Sequence, residues 1–208
     1  NGKQCTIGWH VDDLRISHVD SMVVDHIIDL MSGEFGKEAP LTINRDKVHE
    51  YLGMTFDFTE KGVVTLDMIE YIKTIISEMP ADMKGKAATP AANHLFNVRE
   101  DPVAIDQEKS DIFHKMVMQL QYLSQRARPD VRTALSFLSK RVSVPDEDDY
   151  KKLSRVMKYL QSTMYLKLKL EADDSGIIRW WVDASYAVHP DMRGHTGGTM
   201  SMGKGSIY

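Results

Sequence analysis

The chain has 208 residues, 42% hydrophobic and 27% charged, enough apolar material for one or two folded cores and too much for a disordered segment. No run approaches the roughly 18 consecutive apolar residues of a membrane span, and no basic-then-apolar leader opens the chain. The net charge of -4 argues against a generic nucleic-acid coat, and Cys5, the single cysteine, excludes internal disulfides and cysteine-rich zinc sites and fits a reducing compartment.

In chain order, residues 4–11 and 14–17 read as two strands joined by a tight turn, with Asp12 and Asp13 at its tip. Two carboxylates about 4 Å apart repel by roughly 4 kcal/mol at an effective dielectric near 20, so the pair calls for good solvation or a nearby positive charge. From Asp20 or Ser21 as N-cap, Val24, Ile27, Ile28 and Met31 recur on one helical face up to Gly33. This helix is expected to cover one face of the hairpin's sheet. Strands follow at 49–58 and 63–66, around the turn signal Glu60, Lys61, Gly62. Asp67 and Glu70 form a capping-box pattern for a helix reaching about Glu78, before Pro80. This order describes an α+β fold with a largely antiparallel sheet.

Residues 80–106 contain Pro80, Pro90 and Pro102 and read as an extended crossing segment. Three amphipathic helices come next. Ile112, Met116, Leu120 and Leu123 line the first; the second starts at Asp130 and aligns Ala134, Leu135, Leu138 and Val142; the third, capped by Asp146, turns Tyr150, Leu153, Val156, Met157 and Leu160 inward. Charge divides accordingly: residues 1–60 carry 5 Lys/Arg against 11 Asp/Glu, and residues 109–170 carry 13 against 6. A strand-like run at 177–182 ends in Asp183, and residues 195–208 read as a second strand and the start of a third. The start at Asn1 and the unfinished sheet at Tyr208 suggest a fragment.

Five segments, taken in order, resemble the reverse transcriptase of copia-type LTR retrotransposons. "HVDDL" (10–14) is similar to that family's Tyr-Val-Asp-Asp-Leu catalytic hairpin, and "EYLGM" (50–54) to its primer-contact strand. "LQYLSQRARPDVRTALSFLSKRVSVP" (120–145) and "VMKYLQSTMYLKL" (156–168) resemble its downstream helical segments, and "VDASYAVHPDMRGHTGG" (182–198) the start of its ribonuclease H domain. His10 stands where the family has Tyr, Ser185 where it usually has a second Asp, and Tyr186 where it has Trp.

The resemblance implies the C-terminal part of a polymerase palm over 1–80, the crossing segment over 81–106, a helical thumb and connection over 107–172, and the first strands of a ribonuclease H-like domain over 173–208. It implies Asp12 and Asp13 as catalytic ligands of Mg2+ or Mn2+, with Asp12 the main ligand, and Asp183 as a ribonuclease H metal ligand. Two such ions hold the attacking 3'-oxygen and the leaving phosphate in line. The implied partners are an RNA or DNA template with its primer, deoxynucleotide triphosphates and the rest of a Pol polyprotein, with no membrane, in a cytoplasmic virus-like particle or the nucleus. Tyr51, Leu52, Gly53 and Met54 would approach the primer, or form a plain sheet strand. Arg126, Arg128, Arg132, Lys140 and Arg141 would track the duplex phosphates, although Arg128 and Asp130 equally suit a structural pair at a helix junction. Lys47 is a candidate for approaching the phosphates or an ordinary exposed strand lysine. Two alternatives are a catalytically inactive remnant acting as a nucleic-acid-binding module, and a phosphohydrolase using Asp12, Asp13 and His10. A segment of this kind, lacking the upstream palm acid and the later ribonuclease H acids, is expected to be inactive alone.

Overall fold

The computed structural model describes residues 2–187 and 192–207. It is α+β, and every strand pairing is antiparallel. Strands β1 (Thr6–His10) and β2 (Asp13–Ser17) form a hairpin closed by Val11 and Asp12, with His10 opposite Asp13. Asp12 therefore lies in the turn, and Asp13 is already the first residue of β2. The hairpin is a separate two-stranded ladder and does not belong to the main sheet.

Helix α1 (Ser21–Glu34) is N-capped by Asp20, whose carboxylate accepts from the Met22 N–H. It runs one residue past Gly33, and none of its residues is fully buried. Its apolar side, with Val24, Ile28 and Met31, lines a cleft opposite Leu14 and Ile16 of β2. The helix thus faces the hairpin across a cleft; it does not cover a sheet.

The expected strand over 49–58 is two strands. β3 (Val48–Tyr51) and β4 (Met54–Asp57) are joined by Leu52 and Gly53, both in the left-handed region at φ 54° and 72°. Two consecutive positive φ values match the right-handed twist of a two-residue hairpin, and Gly53 accepts one at no steric cost. Strand β5 (Val63–Asp67) follows. Asp67 closes that strand, and its carboxylate accepts from the Ile69 N–H at 3.3 Å at the start of α2 (Ile69–Glu78), but the N-cap position is Met68 and Glu70 pairs with Lys73, so no capping box forms.

A 3-10 turn at Ala81–Met83 opens the crossing segment, which sinks Met83 and Leu95 into the core. Helix α3 (Gln107–Ser124) is capped by Asp106. The second expected helix is a 3-10 turn at Pro129–Val131 followed by α4 (Arg132–Leu138) and another 3-10 turn at Ser139–Arg141. Helix α5 (Glu147–Ser162) starts with a full capping box between Asp146 and Asp149. The stripes expected of these helices meet: Met116, Leu120 and Leu123 of α3 pack with Leu135 and Leu138 of α4, Leu153 and Met157 of α5, and Ile72 and Ile75 of α2, while Phe113 takes the buried place at the start of the α3 stripe and Ile112 is only partly buried. Each such fully buried aliphatic side chain stabilises by about 1.5–3 kcal/mol, so the main core is helical.

Strand β6 (Leu168–Ala172) returns to pair with β5, and the short β9 (Gly203–Lys204) pairs with β6, giving one sheet in the order β3-β4-β5-β6-β9. Strands β7 (Arg179–Ser185) and β8 (His195–Ser201) make a second separate hairpin. Strand β7 begins after Ile178 and continues two residues beyond Asp183.

Candidate functional site

The Asp12 and Asp13 carboxylates are both exposed and open on a cleft of about 880 Å³, which also takes in Asn44, Arg45, Asp46 and His49 beside β3. The turn that carries them is strained: Val11, a β-branched residue, sits at φ 50° with 74% of its surface exposed, a conformation costing about 1–2 kcal/mol for a non-glycine residue. The Trp9 indole N–H donates to the Val11 carbonyl at 2.7 Å and helps to hold it. Among the described residues no three His, Cys, Asp or Glu converge as a metal-ligand group. His10 therefore does not complete a three-ligand set with Asp12 and Asp13. The donor set nevertheless suits a hard cation, since exposed carboxylate oxygens leave room for the water and phosphate ligands that Mg2+ retains.

Two contacts tie the hairpin to the neighbouring strands, and a third ties the turn between those strands to α3. The Arg15 guanidinium lies over the Phe56 ring at 4.2 Å and the Phe58 ring at 5.1 Å, within a stack that also holds His49. Burial draws Arg15 below its ordinary range and the Tyr51 phenol opposes this. Strand β1 approaches closely at Gly8, where a Cβ would stand 3.6 Å from the Tyr51 hydroxyl. Finally, the Tyr122 hydroxyl of α3 donates to the Leu52 carbonyl at 3.1 Å, and the Arg126 guanidinium lies 3.6 Å over the Tyr122 ring while donating to the Tyr122 carbonyl. The turn at Tyr51–Met54 is thus docked on α3. Gly53 is exposed at its tip, and Tyr51, Leu52 and Met54 are half-buried.

Arg15 and Tyr122 were not among the expected site residues. Tyr122 had a signal: it is a large aromatic off the Leu120 and Leu123 stripe, on the helix's polar side. Arg15 had none, because its aromatic partners lie some forty residues away in the chain.

The expected basic track divides. Arg128 is 1% exposed. Its guanidinium grips Asp130 through Nε at 2.9 Å and Nη2 at 2.7 Å, and donates to the Thr163 carbonyl at 3.0 Å and the Thr163 hydroxyl at 2.7 Å. That is the structural alternative, and it removes Arg128 from any exposed track. Burial acts to raise the Asp130 carboxyl, but the Arg128 bonds and charge, with the Tyr159 hydroxyl, outweigh it and hold Asp130 below the usual range. Arg141 is likewise occupied, with Asp149 at 2.9 Å and Asp146 at 3.6 Å, at the start of α5. Burial pushes Asp149 up, against the pull of Arg141. Arg132 is half-buried, with a long contact to the Ser124 carbonyl, whereas Lys140 is exposed. Of this set only Lys140 is exposed; Arg126, Arg132 and Arg141 are half-buried and Arg128 is buried.

Lys47 is exposed at the entry to β3. Asp183 stands in mid-strand opposite Gly197, exposed, with its carboxylate accepting from the Ala184 N–H. Residues 188–191 of the ribonuclease H-like motif lie outside the described residues.

The chain is related to retrotransposon proteins, and the relationship supports a Pol region. It is 24% identical over 200 residues to the transposon Ty5-1 protein of Saccharomyces cerevisiae, covering 94% of this chain and 61% of that protein. It is 25% identical over 188 residues to the retrovirus-related Pol polyprotein from transposon RE2 of Arabidopsis thaliana, covering 88% of this chain and 12% of the polyprotein. No protein-family model and no solved structure matches the chain.

Proposed function

We propose that this chain is the part of a copia-type reverse transcriptase that carries the metal-binding hairpin of the polymerase, followed by helical thumb-like elements and the first strands of a ribonuclease H-like unit. The observation that carries this reading is the position of Asp12, in a strained two-residue turn, and of Asp13, first in β2 beside it, both exposed and lining a cleft. Strain held at an exposed acidic turn is characteristic of functional sites, and the Pol relationship supplies the chemistry that uses such a turn.

In this reading Asp12 and Asp13 hold Mg2+ or Mn2+, which when bound neutralises charge on the reacting phosphates during nucleotidyl transfer. Asp12 is the principal ligand and Asp13 supports it from the first position of β2. The turn Tyr51–Met54, braced by Tyr122, positions the primer strand. Asp183 contributes an acid to a ribonuclease H site. The substrates are deoxynucleotide triphosphates and an RNA or DNA template with its primer, the further ligands come from the rest of the polyprotein, and the setting is a cytoplasmic virus-like particle or the nucleus.

Two measurements test this. Paramagnetic Mn2+ added to the 208-residue chain should broaden the amide signals of residues 10–15 selectively, and Asp12→Asn with Asp13→Asn should abolish the broadening. In the longer Pol protein, Asp12→Ala should lower nucleotide incorporation by at least about a thousandfold, as removal of a charge-stabilising group does. Unchanged incorporation in that variant would overturn the reading, and a longer protein that binds primer-template but incorporates no nucleotide, with or without Asp12→Ala, would leave a nucleic-acid-binding remnant.

A further inference from the structure

On α5, Lys151, Arg155 and Lys158 follow one another at i, i+4 and i+7 and so share one face. Like charges at this spacing repel. The face forms one wall of a cleft of about 370 Å³ whose other wall is the segment 86–95. Lys86 and His94 line it from that side, Lys152 lies at its base, and no Asp or Glu lines it.

The second wall is anchored to the helix. The Gly85 N–H donates to the Gln161 side chain at 3.2 Å, the Ala87 N–H to the Ser162 hydroxyl at 3.3 Å, and Arg155 Nη2 to the Thr89 hydroxyl at 2.9 Å. Gly85, at φ 142°, allows the Lys158 stem to pass close by; a Cβ there would stand 3.3 Å from the Lys158 Cε.

Two of the cations are committed elsewhere. Lys152 is buried and bonded to the Asp148 carboxylate at 2.8 Å and the Asn97 carbonyl at 2.6 Å. Lys151 has a long contact to Glu147 at 3.7 Å. Lys86 and Lys158 have no acidic partner among the described residues, and the Arg155 Nε is buried without an acceptor. Two ammonium groups without an acidic partner among the described residues, beside the Arg155 guanidinium in a cleft that no acid lines, match the charge and acceptor oxygens of a phosphate group.

We propose that the cleft between α5 and the segment 86–95 binds phosphate, with Arg155 as the fork and Lys86 and Lys158 as flanking charges. The phosphate is either a backbone group of a polynucleotide or a free phosphate anion. The site shares no residue with the Asp12–Asp13 turn and stands whether or not that turn is catalytic.

The test is an amide NMR titration of the 208-residue chain without divalent metal, in parallel with sodium phosphate and with a mixed-sequence 12-nucleotide single strand, each against NaCl of equal ionic strength. Shifts confined to residues 85–89 and 155–162 are expected. Lys86→Ala, at an exposed side chain, with Lys158→Ala, at a half-buried stem beside Gly85, should weaken the apparent affinity at least fivefold without changing the circular dichroism spectrum. Against the oligonucleotide, the pair should also lower the salt dependence by about 1.4 in log–log slope, near 0.7 per lost contact on a single strand. A response to the oligonucleotide alone identifies the polynucleotide source, and a response to both probes identifies a general phosphate site. Shifts no larger than with NaCl, shifts centred elsewhere, or an unchanged affinity in the double variant would overturn the proposal.

Discussion

Replacing Arg128 by Met tests whether this residue holds the helices or binds a ligand. The substitution deletes a bidentate grip on Asp130 and two donations to Thr163 at the end of α5, from a side chain only 1% exposed. Removing one partner of a buried ion pair costs about 3–5 kcal/mol. The Asp130 side chain keeps 28% exposure, so water can rehydrate part of it, which points to the lower end, about 3 kcal/mol. For a chain of this size that is a fall of about 6–12 °C in Tm. Arg128→Lys keeps the charge and loses the fork, and should recover less than half of the loss. The pH response adds an independent sign. In the wild type Asp130 lies below its ordinary value, so its contribution is present above the unfolded pKa and is lost as pH falls through the folded one. Without Arg128, burial is opposed only by the Tyr159 hydroxyl and a backbone hydrogen bond, so the Asp130 carboxyl lies higher in the variant than in the wild type and gains less from ionisation. The stability gap between the two proteins should therefore narrow from pH 7 to about pH 3. Urea denaturation at both pH values, with Asp130→Asn closing a double-mutant cycle, measures all of this. A loss under about 1 kcal/mol with negligible coupling would refute the structural role, and a selective loss of nucleic-acid affinity would restore Arg128 to the basic track.

Tyr122→Phe removes the donation to Leu52 and should cost about 0.5–1.5 kcal/mol, with the amides of Gly53 and Met54 exchanging hydrogen about tenfold faster; unchanged exchange would mean the turn is held by its own backbone. Gly53→Ala should destabilise by about 1–2 kcal/mol through the left-handed backbone and not through a clash, since the nearest atom to the new Cβ is the Tyr122 hydroxyl at 3.6 Å, so the same loss should persist in a Tyr122→Phe background. The Tyr150 hydroxyl is pushed up to about 12, first by burial and then by Asp82, so its contribution is complete below pH 10 and lost as pH rises to about 12; Tyr150→Phe should flatten that alkaline decline in a thermal-melt series. Asp12→Asn should leave the melting temperature unchanged or slightly higher, because it removes a charge from an exposed acidic turn; a marked loss would make the pair structural.

Helices α3 and α5 were legible because their signals are local: apolar residues at helical spacing, and for α5 an aspartate after Pro145 with a carboxylate three residues on. Those rules misled where the competing conformation was also local. Tyr51 and Met54 favour strands, and only Gly53 marks the turn that separates them. Asp67 is followed three residues later by Glu70, as in a capping box, yet β5 extends through Asp67 because its pairing with Thr55 holds it in the sheet. The site showed the same division. Asp12 and Asp13 were readable as neighbours on a hairpin, and the pairing of Arg128 with Asp130 as an option, whereas the depth at which Arg128 lies depends on Thr163 of α5, 35 residues away. The basic cleft joins α5 to a segment some 60 residues earlier, a contact that no periodicity encodes.

The pairing of β5 with β6 also bears on how the protein is made. Residues 63–66 find their partners at 168–171, more than 100 residues later. At a ribosomal rate of about 5–20 residues per second, the Val63–Asp67 edge waits roughly 5–20 s before its neighbour is synthesised. During that interval an edge containing Val63, Val64 and Leu66 is open to other chains. Expression at lower temperature slows both processes, so the yield of soluble protein should depend less on translation speed than on what shelters this edge.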